Sequence, residues 1–252
     1  MDQRLKALLI GGLLGFAVGN VYAETPQEWF KKGNEAYAAK KFDDAISAYQ
    51  SAVDGGLRHW VVYFNLSDAH FRAGHLGKAM VNVDRAFQLN SSNSDVLDNL
   101  VLLSTKAGDP RMPTGALPAL LWRLFYKIGL NGLTVLTSLL FAVLAGFSMG
   151  PWLGRWRMPS QVMIGTGIAF AVFATWLGAR IYVHHEPLAV VITPNAEVRS
   201  GPALSDPASF TVPEGRRVEV LADQEPVSGW LEVGVPQEGL KGWVPDSSVE
   251  RL

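Results

Sequence analysis

Asp43-Asp44-Ala45-Ile46-x-x-Tyr49-x-x-Ala52-Val53 returns 34 residues later as Gly77-Lys78-Ala79-Met80-x-x-Val83-x-x-Ala86-Phe87. The upstream positions repeat as well. Trp29 and Gly33 stand before Ala45 as Tyr63 and Ser67 stand before Ala79, and Asn65-Leu66 comes back as Asn99-Leu100. A fixed period of this length marks a stacked repeat, in which each unit buries its apolar face only against the next. The small residues at Gly33, Ala45, Ala52, Ser67, Ala79 and Ala86 allow close helix approach, and Trp29, Tyr49 and Tyr63 fill the holes between helices.

Working outward, residues 24–106 read as an α-helical array of two repeats closed by one capping helix, from Ser94 to Lys106. On these residues the segment resembles the tetratricopeptide (TPR) family. That resemblance implies a concave groove lined by the first helix of each repeat, with Phe30, Asn34, Tyr37, Phe64, Asp68, Phe71 and Arg72 as the partner-binding residues. The same aromatics also fit inside so short a stack, and the sequence leaves both readings open. Lys32 and His70 depart from the family pattern, where Leu and Tyr are usual. Lys32 has no preceding repeat to pack on and is expected to face water. His70 is expected at the core edge with a local hydrogen bond.

Before the array, residues 1–23 combine Arg4 and Lys6, a 13-residue apolar run from Ala7 to Gly19, and Val21-Tyr22-Ala23. This is the pattern of a secretory signal cleaved after Ala23. An uncleaved anchor is the other reading of the run.

After the array the charge disappears. Residues 117–183 hold five basic residues and no acidic one, which points to lipid contact. Residues 107–127 read as a linker and interfacial segment, and 128–147 and 161–183 as two transmembrane helices. Residues 148–160 form the short cytoplasmic turn with Arg155 and Arg157 that makes them a hairpin. Arg180 is expected to reach the headgroups, and Ala142, Gly146 and Gly150 to let the spans pack closely. The export signal places both flanks on the periplasmic side of a bacterial inner membrane.

From Leu188 the pattern turns to short β-branched strands separated by Gly and Pro turns. Ala196-Glu197-Val198-Arg199-Ser200-Gly201-Pro202, Pro213-Glu214-Gly215, Gly229-Trp230-Leu231-x-Val233 and Lys241-Gly242-Trp243-Val244 resemble the bacterial SH3 (SH3b) family. The resemblance implies a small all-β barrel over 187–252. Members of that family bind cell-wall peptides or glycan, or serve as spacers. Residues 184–252 carry 11 acidic and 5 basic side chains, which disfavours anionic polymers and nucleic acid. Protein contact therefore stands ahead of peptidoglycan.

The chain has no cysteine and five histidines. His70 and His75, five residues apart, do not share a helix face. The carboxylates read as scattered over exposed helical faces. No catalytic, cofactor or metal constellation is expected. The order of signal, TPR array, two spans and SH3b domain is similar to the BatE family of the Bat (aerotolerance-related) clusters. That resemblance implies a non-enzymatic membrane scaffold among von Willebrand A-domain membrane proteins and a MoxR-type ATPase, in stress tolerance or envelope integrity. A cell-wall sensor acting through the SH3b domain is the alternative.

Overall fold

The structure, a computed structural model, describes residues 24–109, 111, 113, 115–149, 159–221 and 229–252. The proposed signal segment, Gly150 and the Arg155/Arg157 turn lie outside the described residues.

Five antiparallel helices form the array: α1 (Pro26–Ala38), α2 (Phe42–Asp54), α3 (Trp60–Ala73), α4 (Leu76–Leu89) and α5 (Ser94–Ala107). Local chemistry sets their ends. Thr25 and Glu28 form a reciprocal capping box at α1, with Pro26 at the first helical position, and this satisfies two otherwise orphaned amides. The Asn93 carboxamide accepts from the amides of Asp95 and Val96 at the start of α5. Gly74 closes α3 at φ +90°, a backbone state that suits glycine. The repeat's small residues do what their size allows. Ala45, Ala52, Ala79 and Ala86 are wholly buried at the helix crossings, with Tyr49, Leu66, Met80 and Leu100 filling the space around them. The result is a helical array of the TPR kind. Lys32 is exposed, ion-paired with Glu24 and lying over the Trp29 ring.

Helix α6 (Ala116–Tyr126) follows, then α7 (Leu130–Met149) and α8 (Ser160–His184). The last two are long and apolar enough to cross a membrane. Their outward side chains, Val135, Leu139, Ile164 and Ile168 among them, are exposed. Phe141 meets Phe170 between the two helices. A Cβ on Gly146 would meet nothing within 4 Å, and Ala142 is exposed. Ala142 and Gly146 therefore lie off the α7–α8 contact, contrary to the expectation that they let the spans pack closely. Arg180 also departs from expectation. It does not snorkel but is buried, donating to the carbonyls of Phe125 and Ile128 and to Ser91 Oγ at 2.7–3.0 Å.

Seven strands complete the fold: β1 (Leu188–Val191), β2 (Ala196–Arg199), β3 (Ala208–Val212), β4 (Arg217–Val220), β5 (Trp230–Val235), β6 (Leu240–Pro245) and β7 (Val249–Arg251). They form one sheet, antiparallel throughout, in the order β3-β2-β6-β5-β4-β1-β7. The sheet is open, with β3 and β7 at its edges, where a closed barrel was expected. It curls enough for Ala189, Val198, Val212, Val244 and Val249 to share one core. Two local irregularities accompany the open edges. The β2–β3 register shifts between Val198 and Arg199, and β7 is only three residues long. The other face of β1 is taken by the array. Val190 packs into the helical core, with Ile192 and Leu252 against it, while its neighbours Ala189 and Val191 point into the sheet's own core. A strand buried on both faces has no polar alternation, which is why Leu188–Val191 is wholly apolar.

Candidate functional site

Two polar sites follow from this packing. One is open to solvent and one is sealed.

The open site is a cavity of about 220 Å³ lined by Asn34 and Tyr37 from α1, Tyr49 from α2, and Asn65 and Asp68 from α3. Gly33 makes it. A Cβ there would stand 2.4 Å from the Tyr49 ring, so only glycine lets that ring lie flat on α1 and carry its hydroxyl to Asn34. The Tyr49 hydroxyl donates to Asn34 Oδ1 at 2.8 Å, and Asn65 Nδ2 donates to the same oxygen at 3.0 Å. The Tyr37 hydroxyl donates to Asp68 Oδ2, and Arg72 approaches the other carboxylate oxygen at 4.0 Å. Burial pushes the Tyr49 phenol up to about 12. Burial, followed by the Asp68 carboxylate, also raises Tyr37. Both phenols therefore remain protonated donors at neutral pH. Asn34 and Asn65 line the cavity as a bonded pair, and a carboxamide carries both a donor and an acceptor. That set suits a peptide unit. The volume suits a side chain rather than a cofactor, whose pockets run from about 300 to 1,000 Å³.

Of the seven residues read from the sequence as the groove, Asn34, Tyr37 and Asp68 line this cavity. Phe30, Phe64 and Phe71 are half-buried against the array's core. Phe30 packs near Tyr49, Phe64 stands edge-on to Trp60, and Phe71 lies under Lys106. Arg72 is exposed beside Asp68. Sequence reasoning passed over Tyr49 and Asn65 as site residues. The return of Asn65 as Asn99 was the available signal, because a polar residue repeated at helical depth calls for a partner.

The sealed site joins the array to the sheet. Arg217 of β4 is buried and donates through Nε to Asp109 at 2.6 Å, through Nη1 to Asp84 at 3.1 Å and through Nη2 to Ser104 at 2.9 Å. Burial pushes the Asp84 carboxyl up to about 6, against the pull of Arg217. Burial opposes the Arg217 charge, but the two carboxylates outweigh it and raise its affinity for the proton. Asp84 and Asp109 are thus not on exposed helical faces, as the sequence suggested. Around this cluster, the Gly77 amide donates to Glu214 at 2.7 Å, and Lys78 and Arg85 clasp Glu250 at 2.6 and 2.7 Å. A Cβ on Gly77 would lie 2.6 Å from the Val191 carbonyl oxygen, so this glycine is the gap through which β1 approaches α4.

The two histidines share no helix face, yet the fold brings them together. His70 and His75 have ring centroids 5.7 Å apart, because the chain turns at Gly74 rather than continuing the helix. His70 is buried, and its Nδ1 has no hydrogen-bond partner. Burial, followed by the charges of His75 and Lys78, lowers its pKa to about 4. Among the described residues, no group of three or more His, Asp or Glu side chains converges on a point that would hold a metal ion.

No protein-family model matches the chain, and no curated protein matches it. Among solved structures it is similar to the first TPR domain of Spaghetti (RPAP3) bound to the HSP90 peptide SRMEEVD, at 23% identity and a TM-score of 0.31 over 32% of this chain and 66% of that one. It is also similar to the Arabidopsis OM64 TPR domain, at 18% identity and 0.31 over 32% and 68%. The third is yeast Tom70, at 18% identity and 0.32 over 65% of this chain but 26% of that one. The chain thus spans under two thirds of the first and about a quarter of the third. The TPR character of the array rests on its own 34-residue repeat and helix order.

Proposed function

We propose that this chain is a membrane-anchored scaffold that holds a protein partner through the concave face of its helical array. The observation that carries this reading is the solvent-open cavity of Asn34, Tyr37, Tyr49, Asn65 and Asp68. Its polar side chains bond one another, and at about 220 Å³ it suits a side chain of a partner better than a cofactor. Helices α7 and α8 are the anchor, crossing the bilayer as a hairpin with the array and the sheet on one side. The signal-like segment 1–23 argues for the periplasmic side. The order of parts fits a place in a Bat/MoxR-type stress-tolerance or envelope-integrity system, with von Willebrand A-domain membrane proteins as candidate partners.

The test is cross-linking of the tagged full chain in its native membrane, compared with an Asn34→Ala/Asn65→Ala variant. Membrane-protein partners that cross-link to the first and fall at least tenfold in the second support the reading. Equal recovery from both, with the array folded in each, refutes it.

A further inference from the structure

Helix α6 has two apolar faces, and among the described residues only one is covered by protein. Trp122 and Tyr126 turn inward. Trp122 stacks on Phe87 of α4 at 6.3 Å, and Tyr126 meets the same ring edge-on at 4.8 Å. Leu117, Leu120, Leu121 and Leu124 turn outward and are 66, 53, 57 and 51% exposed. Their spacing of three, four and seven residues puts all four on one stripe of the helix. A leucine stripe this open on a water-facing helix is a poor arrangement.

The depth of α6 is fixed by its neighbours. Arg180, four residues before the end of α8, donates to the Phe125 and Ile128 carbonyls at the C-terminal end of α6 and just beyond it. Trp176, one turn further into α8, donates to the Phe125 carbonyl at 3.1 Å. Helix α7 starts at Leu130, three residues after Lys127. The end of α6 therefore sits level with the start of one proposed span and the last turns of the other, which is headgroup depth. Arg123 is paired with Asp98 of the array at 2.6 Å, and Lys127 is exposed. Both suit a polar boundary.

We infer that α6 lies in the plane of the membrane, with the Leu117/Leu120/Leu121/Leu124 face inserted among lipid chains and the Trp122/Tyr126 face gripping the array. The array is then held flat against the bilayer at a fixed angle rather than tethered by a free linker. The occupant of the leucine face is lipid because that face is continuous with two helices whose outward sides are equally apolar. The inference rests on the reading of α7 and α8 as spans.

The chain has no cysteine, so single cysteines at the four leucines, at Arg123, and at Leu139 and Ile168 of the spans carry a spin label without background. In the full chain reconstituted into phosphatidylcholine–phosphatidylglycerol vesicles, collision with oxygen and with a water-soluble nickel chelate is read at each label. The leucine positions are expected to favour oxygen severalfold, like Leu139 and Ile168, and Arg123 to favour nickel. Nickel-accessible leucines beside oxygen-accessible spans overturn the inference and leave the anchor standing. Spin–spin broadening at the leucines overturns it in favour of a second copy of the chain. Nickel access at Leu139 and Ile168 as well overturns both readings.

Discussion

Replacing Arg217 by Met keeps much of the stem's bulk and removes the guanidinium. Three hydrogen bonds, to Asp84, Asp109 and Ser104, go with it. What remains is two buried carboxylates with no cation between them, one of which titrates near 6 even with Arg217 present. Breaking a buried ion pair from one side costs about 3–5 kcal/mol. At about 2–4 °C per kcal/mol for a chain of this size, the thermal midpoint at pH 8 is expected to fall by roughly 6–20 °C.

The pH dependence has a definite sign. Asp84 has a folded pKa raised above its ordinary 3.8, so the folded state takes up a proton that the unfolded state does not hold between about 6 and 4. Stability from this group therefore rises as pH falls through that window. Without Arg217, whose charge lowers it, the Asp84 carboxyl is raised further and the gain is larger. The deficit of Arg217→Met should be greatest at pH 8 and clearly smaller at pH 5. Changing the whole cluster, with Asp84→Leu and Asp109→Leu added to Arg217→Met, should recover much of the loss, since an apolar replacement leaves no orphaned charge. The assay is thermal unfolding of the full chain in detergent micelles at both pH values. A deficit below about 1 kcal/mol, or one equal at pH 5 and pH 8, would refute the view that this cluster holds the sheet to the array.

Three further outcomes follow from the same contacts. Gly77→Val, placing atoms within 3 Å of the β1 backbone, should cost about 1–3 kcal/mol and increase protease cleavage between array and sheet at unchanged helical content; equal cleavage of both proteins contradicts it. Protonating His70, whose folded pKa of about 4 lies below the ordinary 6.5, should cost the wild type stability as pH falls from 6.5 towards 4, on the order of 2–3 kcal/mol. His70→Phe should lack that component, and parallel pH curves for the two proteins count against a neutral buried ring. Tyr49→Phe removes one donor from Asn34 and should cost about 1 kcal/mol in urea unfolding while loosening the Asn34 side chain, which NMR of its carboxamide reads directly; an unchanged signal argues against the bond.

The helices were legible because their signal is local and repeated. A 34-residue period with alanines in register specifies helix, crossing and stack together, and α1 to α5 fall where that pattern puts them. The two long apolar helices were legible from another local signal, a run of residues nearly free of charge. What escaped the sequence is whatever depends on contacts between distant residues. Asp84 lies on α4 among polar positions that read as solvated, and its partner is 133 residues away. Lys78 meets Glu250 across 172 residues. Arg217 looks like an ordinary strand residue until the array closes over it. The apolar run of β1 has the same cause: the array supplies its second face, and no local pattern announces that contact. At the cavity, the sequence reading named Asn34, Tyr37 and Asp68 but not Asn65. It could not see that Gly33 admits the Tyr49 ring, because the pairing joins two helices through an absent side chain.

Helix α4 touches both the sheet and α6. Its first turn meets the sheet through Gly77 and Lys78, its middle does so through Asp84 and Arg85, and its last turn carries Phe87, on which α6 packs. The polar cavity is built from α1, α2 and α3, whose own packing does not use those contacts. The two ends of the array are thus divided between tasks: the second repeat's outer helix binds the rest of its own chain, and the first repeat keeps its concave side open. A change at the sealed cluster should therefore alter how the sheet is held before it alters what the cavity accepts. A change at Asn34 or Asn65 should do the reverse. If Arg217→Met weakened a partner held at the cavity as strongly as Asn34→Ala does, at a pH where the array remains folded, the two ends would be coupled and this division of labour would be wrong.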